Sequence, residues 1–585
     1  MQNTDWKLLS RFFEFVKPHR IWVFISMGAI PFSTAATILV PFLIVRIVDD
    51  YIIPGNTSGL YLMTAILAGA VLLSYLADGI YTFSLQRAGQ MTIARLRWAL
   101  LDHTLKLPRT YFDNNPIGAT LSRMTSDIEA VGESLAVGVL ALFTDAIKAL
   151  ALFIFLFYLS WKLTLVIVLL VPLIYIVITV LRKKLRRYFN EARESLAQAT
   201  AFLQECLTGM KTIQLFVAEK GVHQRFKQKN EQFLNAQTKA NGFDAALFSI
   251  IEGVTSVAMA LVIWYGTGQI LAGMITIGIL IGFINTLSRL FIPIREFAQQ
   301  IAVIQRALAA LEHVSQLFAE KEEEEFSVFS DTEQNQLLND FDELTFEDVS
   351  FSYSEKGLRA LDNVSFSVNK GEKVAIVGET GAGKSTILKI LSKTYESYQG
   401  SIKLNGQELR EIPKLSLMRT LTLMQQDVFL FDESLAFNIS LDRPEIDHTQ
   451  IQRAVKFVHA DEFIDQLPEK LNYRLIENGS NLSAGQAQLI SFARAIASDC
   501  DLILLDEATS SVDSVTEHLI QKATEKIFQE KSVIAIAHRL STIRHSDMIL
   551  VMKNGKIVEQ GNHEELVKQG GYYLQLLNRM ESETS

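Results

Sequence analysis

Six apolar stretches dominate the first half of the sequence, at about residues 21–48, 60–84, 134–158, 163–181, 246–270 and 275–298. A helix needs roughly 20 such residues to cross a bilayer core. No water reaches the backbone inside hydrocarbon, so each stretch must satisfy its own N–H and C=O groups as a helix. A six-helix membrane region over residues 1–315 is therefore expected. Its weakest boundaries lie at the last two spans, where Gly266, Gly268 and Gly273 break the pattern into a short turn.

Lys and Arg placement orients the bundle. Arg87, Arg95, Arg97, Lys106, Arg109 and Arg123 lie between spans two and three, and Arg182, Lys183, Lys184, Arg186 and Arg187 between spans four and five. The loops at about 49–59 and 271–274 carry no Lys or Arg, and the loop between spans three and four carries only Lys162. Both termini are thus expected on the cytoplasmic side of the cell (inner) membrane. No cleavable signal peptide is evident, because the first apolar stretch is too long and lacks a cleavage pattern. A net charge of −9 gives no support to nucleic-acid binding. The two cysteines, Cys206 and Cys500, lie in different regions and suggest neither a disulfide framework nor a zinc site.

The segments between spans are long and poor in turn residues. A continuous helix over 60–106 would reach roughly 70 Å, against a core of about 30 Å, and should project into the cytoplasm. The same holds for 163–208 and its return partner over about 212–245. Pro108 and Asn114-Asn115-Pro116 mark the first reversal. The turns near 109–118 and 209–218 are where a soluble motor could grip the membrane region. Asp78, Asp145, Lys148 and Glu252 fall within apolar sequence and should face a cavity or a partner. Asp145 and Lys148, three apart, could pair on one helical face. Interhelical bonding or cavity lining is the plainer role for these groups, and substrate or proton handling the sharper one.

Residues 316–343 read as an exposed linker that opens with an acidic run, Glu320-Lys321-Glu322-Glu323-Glu324-Glu325. A soluble α/β domain is expected over 344–585. Within it Gly378-Glu379-Thr380-Gly381-Ala382-Gly383-Lys384-Ser385 fits the phosphate-binding loop G-x-x-x-x-G-K-[ST]. An apolar strand, Val374–Val377, precedes the loop, and a helix begins at Thr386. Lys384 can reach β- and γ-phosphates, and the Ser385 hydroxyl can ligate Mg²⁺. Leu502-Ile503-Leu504-Leu505 reads as a buried strand that delivers two carboxylates. Asp506 is placed to hold Mg²⁺, and Glu507 to orient and deprotonate an attacking water. A second buried strand, Val533–Ala537, ends at His538, which can contact a γ-phosphate. Gln426, after Leu421–Met424, can sense Mg²⁺ or the water. Leu482-Ser483-Ala484-Gly485-Gln486 stands before a helical run from Ala487 to Ala497 and makes a second anion surface. Two phosphate surfaces about 100 residues apart make sense if the second closes on the nucleotide of another copy. Tyr353 offers an aromatic face that could stack on adenine.

These motifs, in this order, resemble the ATP-binding cassette (ABC) transporters. The membrane half is similar to the exporter branch, as in MsbA-like lipid and multidrug exporters. Tyr111-Phe112-Asp113 to Gly118 and Ser122-Arg123 to Asp127 resemble that family's first cytoplasmic coupling region, Glu477 its cross-link loop glutamate, and Ser510-Ser511-Val512-Asp513 the motif after the catalytic glutamate. The resemblance implies a bundle of six transmembrane helices with long cytoplasmic extensions plus an α/β P-loop cassette domain. It further implies a head-to-tail dimer, with ATP and Mg²⁺ held between two cassettes. Carried over by position, Glu507, His538 and Gln426 would be catalytic. Tyr353, Gly378 to Thr386, Ser483, Gly485 and Gln486 would bind nucleotide, and Ser385, Gln426 and Asp506 would serve the metal. Asp513 would communicate between the two sites.

The implied function is ATP-driven export or flipping of amphipathic small molecules or lipids. A dedicated peptide or siderophore exporter is the alternative, and a non-transporting channel gate or sensor is a third reading. Glu507 and His538 argue against the last, since gating alone tolerates a dead site. The resemblance makes an importer a poor fit, because importers of this superfamily usually keep membrane and motor domains on separate chains. About 20 residues precede the first span, so no peptidase domain of the bacteriocin-exporter kind is expected. Ala484 stands where the family usually has glycine. Together with Glu507 it also resembles the competent subunit of heterodimeric exporters of the MdlB-like branch, so homodimer and heterodimer both stay open.

Overall fold

The computed structural model describes residues 14–132, 138–323, 340–353, 357–426, 428–506, 514–537 and 540–584. The chain divides into two compact units, Met1–Leu105 with Ile117–Glu320, and Lys106–Pro116 with Lys321–Ser585.

Long helices build the first unit. α1 is Arg20–Arg46 and α2 is Thr57–Leu105; α3, Arg109–Asn114, belongs by packing to the second unit. α4 is Val139–Leu159, α5 Trp161–Thr208, α6 Glu219–Leu271 and α7 Ile277–Ala319. Among the described residues, Glu14–Ile52, Thr57–Leu105, Leu140–Leu159 and Glu219–Leu271 are long and apolar enough to cross a membrane, and Ile277–Leu290 is a shorter apolar helix. The expected span over 163–181 lies on α5. The long extensions are continuous: α2 has 49 residues, or about 75 Å at 1.5 Å per residue. The expected break at Gly266 and Gly268 does not occur, since α6 runs through both to Leu271. A methyl at Gly266 would sit 2.6 Å from Leu280 Cδ1, so this glycine admits α7 to close packing. The turn comes at Gly273, whose φ of +69° favours glycine.

Two polar devices join these helices. Lys148 on α4 donates to Asp78 Oδ1 on α2 at 2.9 Å, and Ser33 on α1 donates to the same oxygen at 2.5 Å. Helical spacing offers Asp145 as a partner for Lys148 along one helix; the bond to Asp78 runs between helices. Near the start of α7, Asp49 Oδ1 accepts from the Gly278 N–H at 2.8 Å, and its second oxygen accepts from Thr276. A carboxylate carried by the end of the first apolar helix therefore meets the positive end of the last.

The second unit holds two sheets. β1 (Glu343–Phe351), β2 (Leu361–Asn369), β4 (Gln399–Leu404) and β5 (Gln407–Glu408) form an antiparallel sheet in the order β2-β1-β4-β5. The other sheet runs β10-β9-β3-β8-β7-β6, with β3 Lys373–Gly378, β6 Leu421–Met424, β7 Leu502–Asp506, β8 Ser532–Ile536, β9 Met548–Lys553 and β10 Lys556–Gly561. Its members are parallel except for β10. Parallel strands are covered on both faces, which is why β3, β7 and β8 read as unbroken apolar runs. One core packs Phe346, Leu361, Ile376, Leu388, Leu504 and Ile534 between the two sheets and the helix α8 (Lys384–Leu391). A second core packs Leu489, Ile490 and Ala493 of α9 (Ala484–Ala497) against Ile503, Leu505 and Val533. α7 extends to Ala319, so the expected linker begins within a helix, and residues 324–339 of it lie outside the described residues.

The α3 turn is pinned at both ends within this unit. The Glu323 N–H donates to the Lys106 carbonyl at 2.9 Å, while the Glu323 carboxylate pairs with Lys414 at 3.3 Å. At the other end Asp113 accepts from the Tyr395 hydroxyl.

Candidate nucleotide site

The strand order brings the sequence motifs to one edge. β3, β8, β7 and β6 are neighbours and parallel, so their carboxyl ends face the same way. Gly378 ends β3, Asp506 ends β7, and Gln426 follows β6 by two residues and is exposed. Ligands of open α/β sheets bind at this edge. Glu507 and His538 lie outside the described residues, as do Asp513 and the rest of the 510–513 motif; β7 ends at Asp506 and β8 at Ile536.

The loop after β3 fits a phosphate group because its backbone excludes side chains. Gly378 and Gly383 have φ of +156° and +102°. A methyl at Gly378 would come 2.4 Å from the Met552 carbonyl oxygen, and one at Gly383 2.4 Å from that of Ala360. Gly383 caps α8 in the left-handed conformation and aims the helix N-terminus at the loop. Lys384 is buried, and its ammonium donates to the carbonyls of Gly378 at 2.7 Å and Glu379 at 3.1 Å. Burial pulls its pKa below the ordinary lysine value, and the Asp506 carboxylate pulls it back up. The lysine is thus folded over the loop it would serve, with exchangeable carbonyl partners. Thr380, Gly381 and Ala382 complete the loop, whose Ala382 N–H donates to the Glu379 carbonyl at 3.1 Å. Ser385 is half-buried in the first turn of α8, and the Thr386 hydroxyl bonds the Tyr353 hydroxyl at 3.0 Å. Tyr353 is 51% exposed, with Lys389 5.6 Å from its ring centroid. Arg579, near the C-terminus, pairs with Glu379 at 2.8 Å.

The Ser483–Gln486 segment sits on the second core, at the start of α9. The helix begins at Ala484, three residues earlier than expected. Ser483 accepts from the Gln486 N–H at 3.2 Å, and Gln486 accepts from the Ser483 N–H at 3.0 Å. This is a reciprocal capping box, a spacing rule that the sequence already displays as Ser-x-x-Gln. Ala484 is exposed and Gly485 buried, so the methyl that replaces the usual glycine meets no packed neighbour in this chain. Glu477 and Asn478 share left-handed backbone, at φ +46° and +59°.

Sequence reasoning missed Tyr395. Its ring stands edge-on to Tyr353 at 5.2 Å and tilted on Phe351 at 5.6 Å. It follows α8 in irregular chain, where no periodicity singles out a side chain.

Comparison with known proteins follows the same division. A family described as "ABC transporter transmembrane region" matches residues 23–294, and one described as "ABC transporter" matches residues 361–510. An "Uncharacterized ABC transporter ATP-binding protein YknV" of Bacillus subtilis (strain 168) is 34% identical over 98% of this chain and 94% of its own length. An "ATP-dependent lipid A-core flippase" of Thiobacillus denitrificans (strain ATCC 25259 / T1) is 31% identical over 98% of both chains. A "Probable multidrug resistance ABC transporter ATP-binding/permease protein YheH" of Bacillus subtilis (strain 168) is 35% identical over 87% of this chain and 76% of its own. Among solved structures, "Structure of a bacterial Atm1-family ABC exporter with ATP bound" superposes with a TM-score of 0.75 at 25% identity, covering 96% of this chain and 98% of that one. With membrane region and cassette fused in one polypeptide, the chain belongs to the ABC exporters as a multi-pass half-transporter whose ATPase drives transport.

Proposed function

We propose that this half-transporter works as a dimer that exports or flips amphipathic small molecules or lipids. The observation that carries the reading is the shared sheet edge: the glycine-restricted loop, Lys384, Asp506 and Gln426 converge where β3, β7 and β6 end. The lipid chemistry is suggested by the flippase relative, whose fused architecture this chain matches along 98% of its length.

In this reading the loop N–H groups and the α8 N-terminus take the phosphates of ATP, and Lys384 exchanges its two carbonyl partners for phosphate oxygens. Tyr353 carries the adenine. Ser385, Asp506 and Gln426 would hold Mg²⁺, which when bound neutralises charge on the transferred phosphoryl group. Glu507 orients the attacking water and takes its proton, and His538 contacts the γ-phosphate. Ser483, Gly485 and Gln486 of a second copy close over the same nucleotide. Their capping box presents a helix N-terminus, so closure adds an anion site rather than a charge.

The test is ATP hydrolysis and oligomeric mass of the chain alone in lipid nanodiscs, with and without Glu507→Gln. An active dimer silenced by the substitution, with ATP binding kept, supports a self-sufficient exporter. Near-normal turnover in Glu507→Gln removes that residue as the base. An inactive monomer shifts the reading to the competent subunit of a heterodimer.

A further inference from the structure

The α3 turn interrupts two membrane-unit helices in the chain, yet it packs as part of the cassette unit, and it meets the candidate adenine platform through one residue. The Tyr395 hydroxyl donates to Asp113 Oδ2. The other oxygen of Asp113 is held by Arg109 Nε at 3.0 Å, one helical turn earlier. The Tyr395 ring stands edge-on to Tyr353, with centroids 5.2 Å apart and planes at 88°. Phe351 fixes the pair from below, 5.0 Å from Tyr353 and 5.6 Å from Tyr395. Edge-to-face rings at these separations have a defined preferred orientation, so a shift of one is felt by the other. Burial, with Asp113 adding to it, pushes the Tyr395 hydroxyl up to about 12; it stays a proton donor at any working pH.

We infer that Tyr395 is a positioning residue that reports occupancy of the adenine platform to the turn between spans two and three. A base stacked on Tyr353 fixes that ring, the fixed ring restrains Tyr395, and the restrained hydroxyl holds Asp113. Phosphate alone, bound by the loop and Lys384, leaves the Tyr353 ring face uncovered, and the Thr386–Tyr353 hydroxyl bond already stands without it, so it sends no such signal. The inference rests on Tyr353 carrying the base.

Hydrogen exchange of the 106–116 amides tests it, on the full chain in nanodiscs, with EDTA present to block hydrolysis. Saturating ATP should slow exchange about fivefold or more, the lower end of ordinary coupling between sites. Saturating inorganic tripolyphosphate should not. Tyr395→Phe keeps the ring and removes the bond; it should abolish the ATP-dependent slowing while ATP affinity stays within about threefold. Asp113→Asn should do the same, and the double variant should lose no more than either single one, as partners in one interaction must. A purely structural role would change exchange equally with and without nucleotide. Wild-type slowing retained in Tyr395→Phe, equal slowing by tripolyphosphate, or no response in the wild type would each overturn the relay. Unchanged ATP affinity in Tyr353→Ala would instead overturn the base reading beneath it.

Discussion

Lys384 and Cys500 show how burial sets the chemistry of single residues in the cassette. Lys384 is desolvated over the loop, so alanine there should lower ATP affinity at least tenfold, read by nucleotide-binding fluorescence. The sign of the pH effect follows from its lowered pKa. Rising pH discharges this lysine before an exposed one, so ATP affinity should fall on the alkaline side below the ordinary lysine range. That fall should be missing in Lys384→Ala. Cys500 is 2% exposed, and burial pushes its thiol up to about 11. At pH 8 about one thiol in a thousand is then ionised. Alkylation of the native protein followed by mass spectrometry should mark the half-buried Cys206 and spare Cys500. At this scale the phosphate loop was legible because its chemistry is local: glycines, a lysine and a hydroxyl at fixed spacing. Tyr395 was not, because its role depends on Asp113, which stands 282 positions away.

Helix α7 is held to the first apolar helix by close approach as well as by charge. A methyl at Gly282 would sit 2.3 Å from Val45 Cγ2 and 3.4 Å from the Pro41 carbonyl oxygen; one at Gly278 would strike the Asp49 carboxylate at 2.6 Å. Small residues four apart let two helices touch backbone to backbone. Gly282→Val should therefore destabilise the protein by about 1–3 kcal/mol, seen as a lower Tm in detergent. Gly28→Ala, where no atom lies within 4 Å of the added methyl, should leave Tm unchanged or raise it. The apolar runs predicted the long helices well, since length and hydropathy decide spanning. They placed the end of α6 near residue 270, where the helix does stop at Leu271, but Gly266 and Gly268 do not interrupt it, because glycine in a membrane helix can serve packing as readily as turning. Lys148 was placed beside Asp145 by helical spacing, but its bond to Asp78 depends on which helices are neighbours, and that is tertiary information.

For the whole molecule, the turns after α2 and after α5 differ in what covers them. The α3 turn packs within its own chain's cassette unit. The turn after α5 carries Leu215, Phe216 and Val217, each at least 70% exposed. The cassette has a groove lined by Val428, Phe429, Arg443, Ser491 and Arg494. A dimer that exchanges the turn after α5 would cover that turn and the groove alike. Val217→Cys on one copy and Arg443→Cys on another should then form an intermolecular disulfide, read as a dimer band that reductant removes; monomers only would argue that the second turn grips something else.

Lys106–Pro116 also bears on how this protein can be taken apart. Eleven residues that the ribosome makes between two membrane helices belong, by packing, to a unit whose other residues start at Lys321. A soluble fragment cut at the start of that second stretch would purify with its Tyr395 hydroxyl and Glu323 N–H facing solvent where the missing turn should lie. Its nucleotide affinity would describe an incomplete object. A synthetic peptide covering the missing piece, added in trans, would be the natural complement.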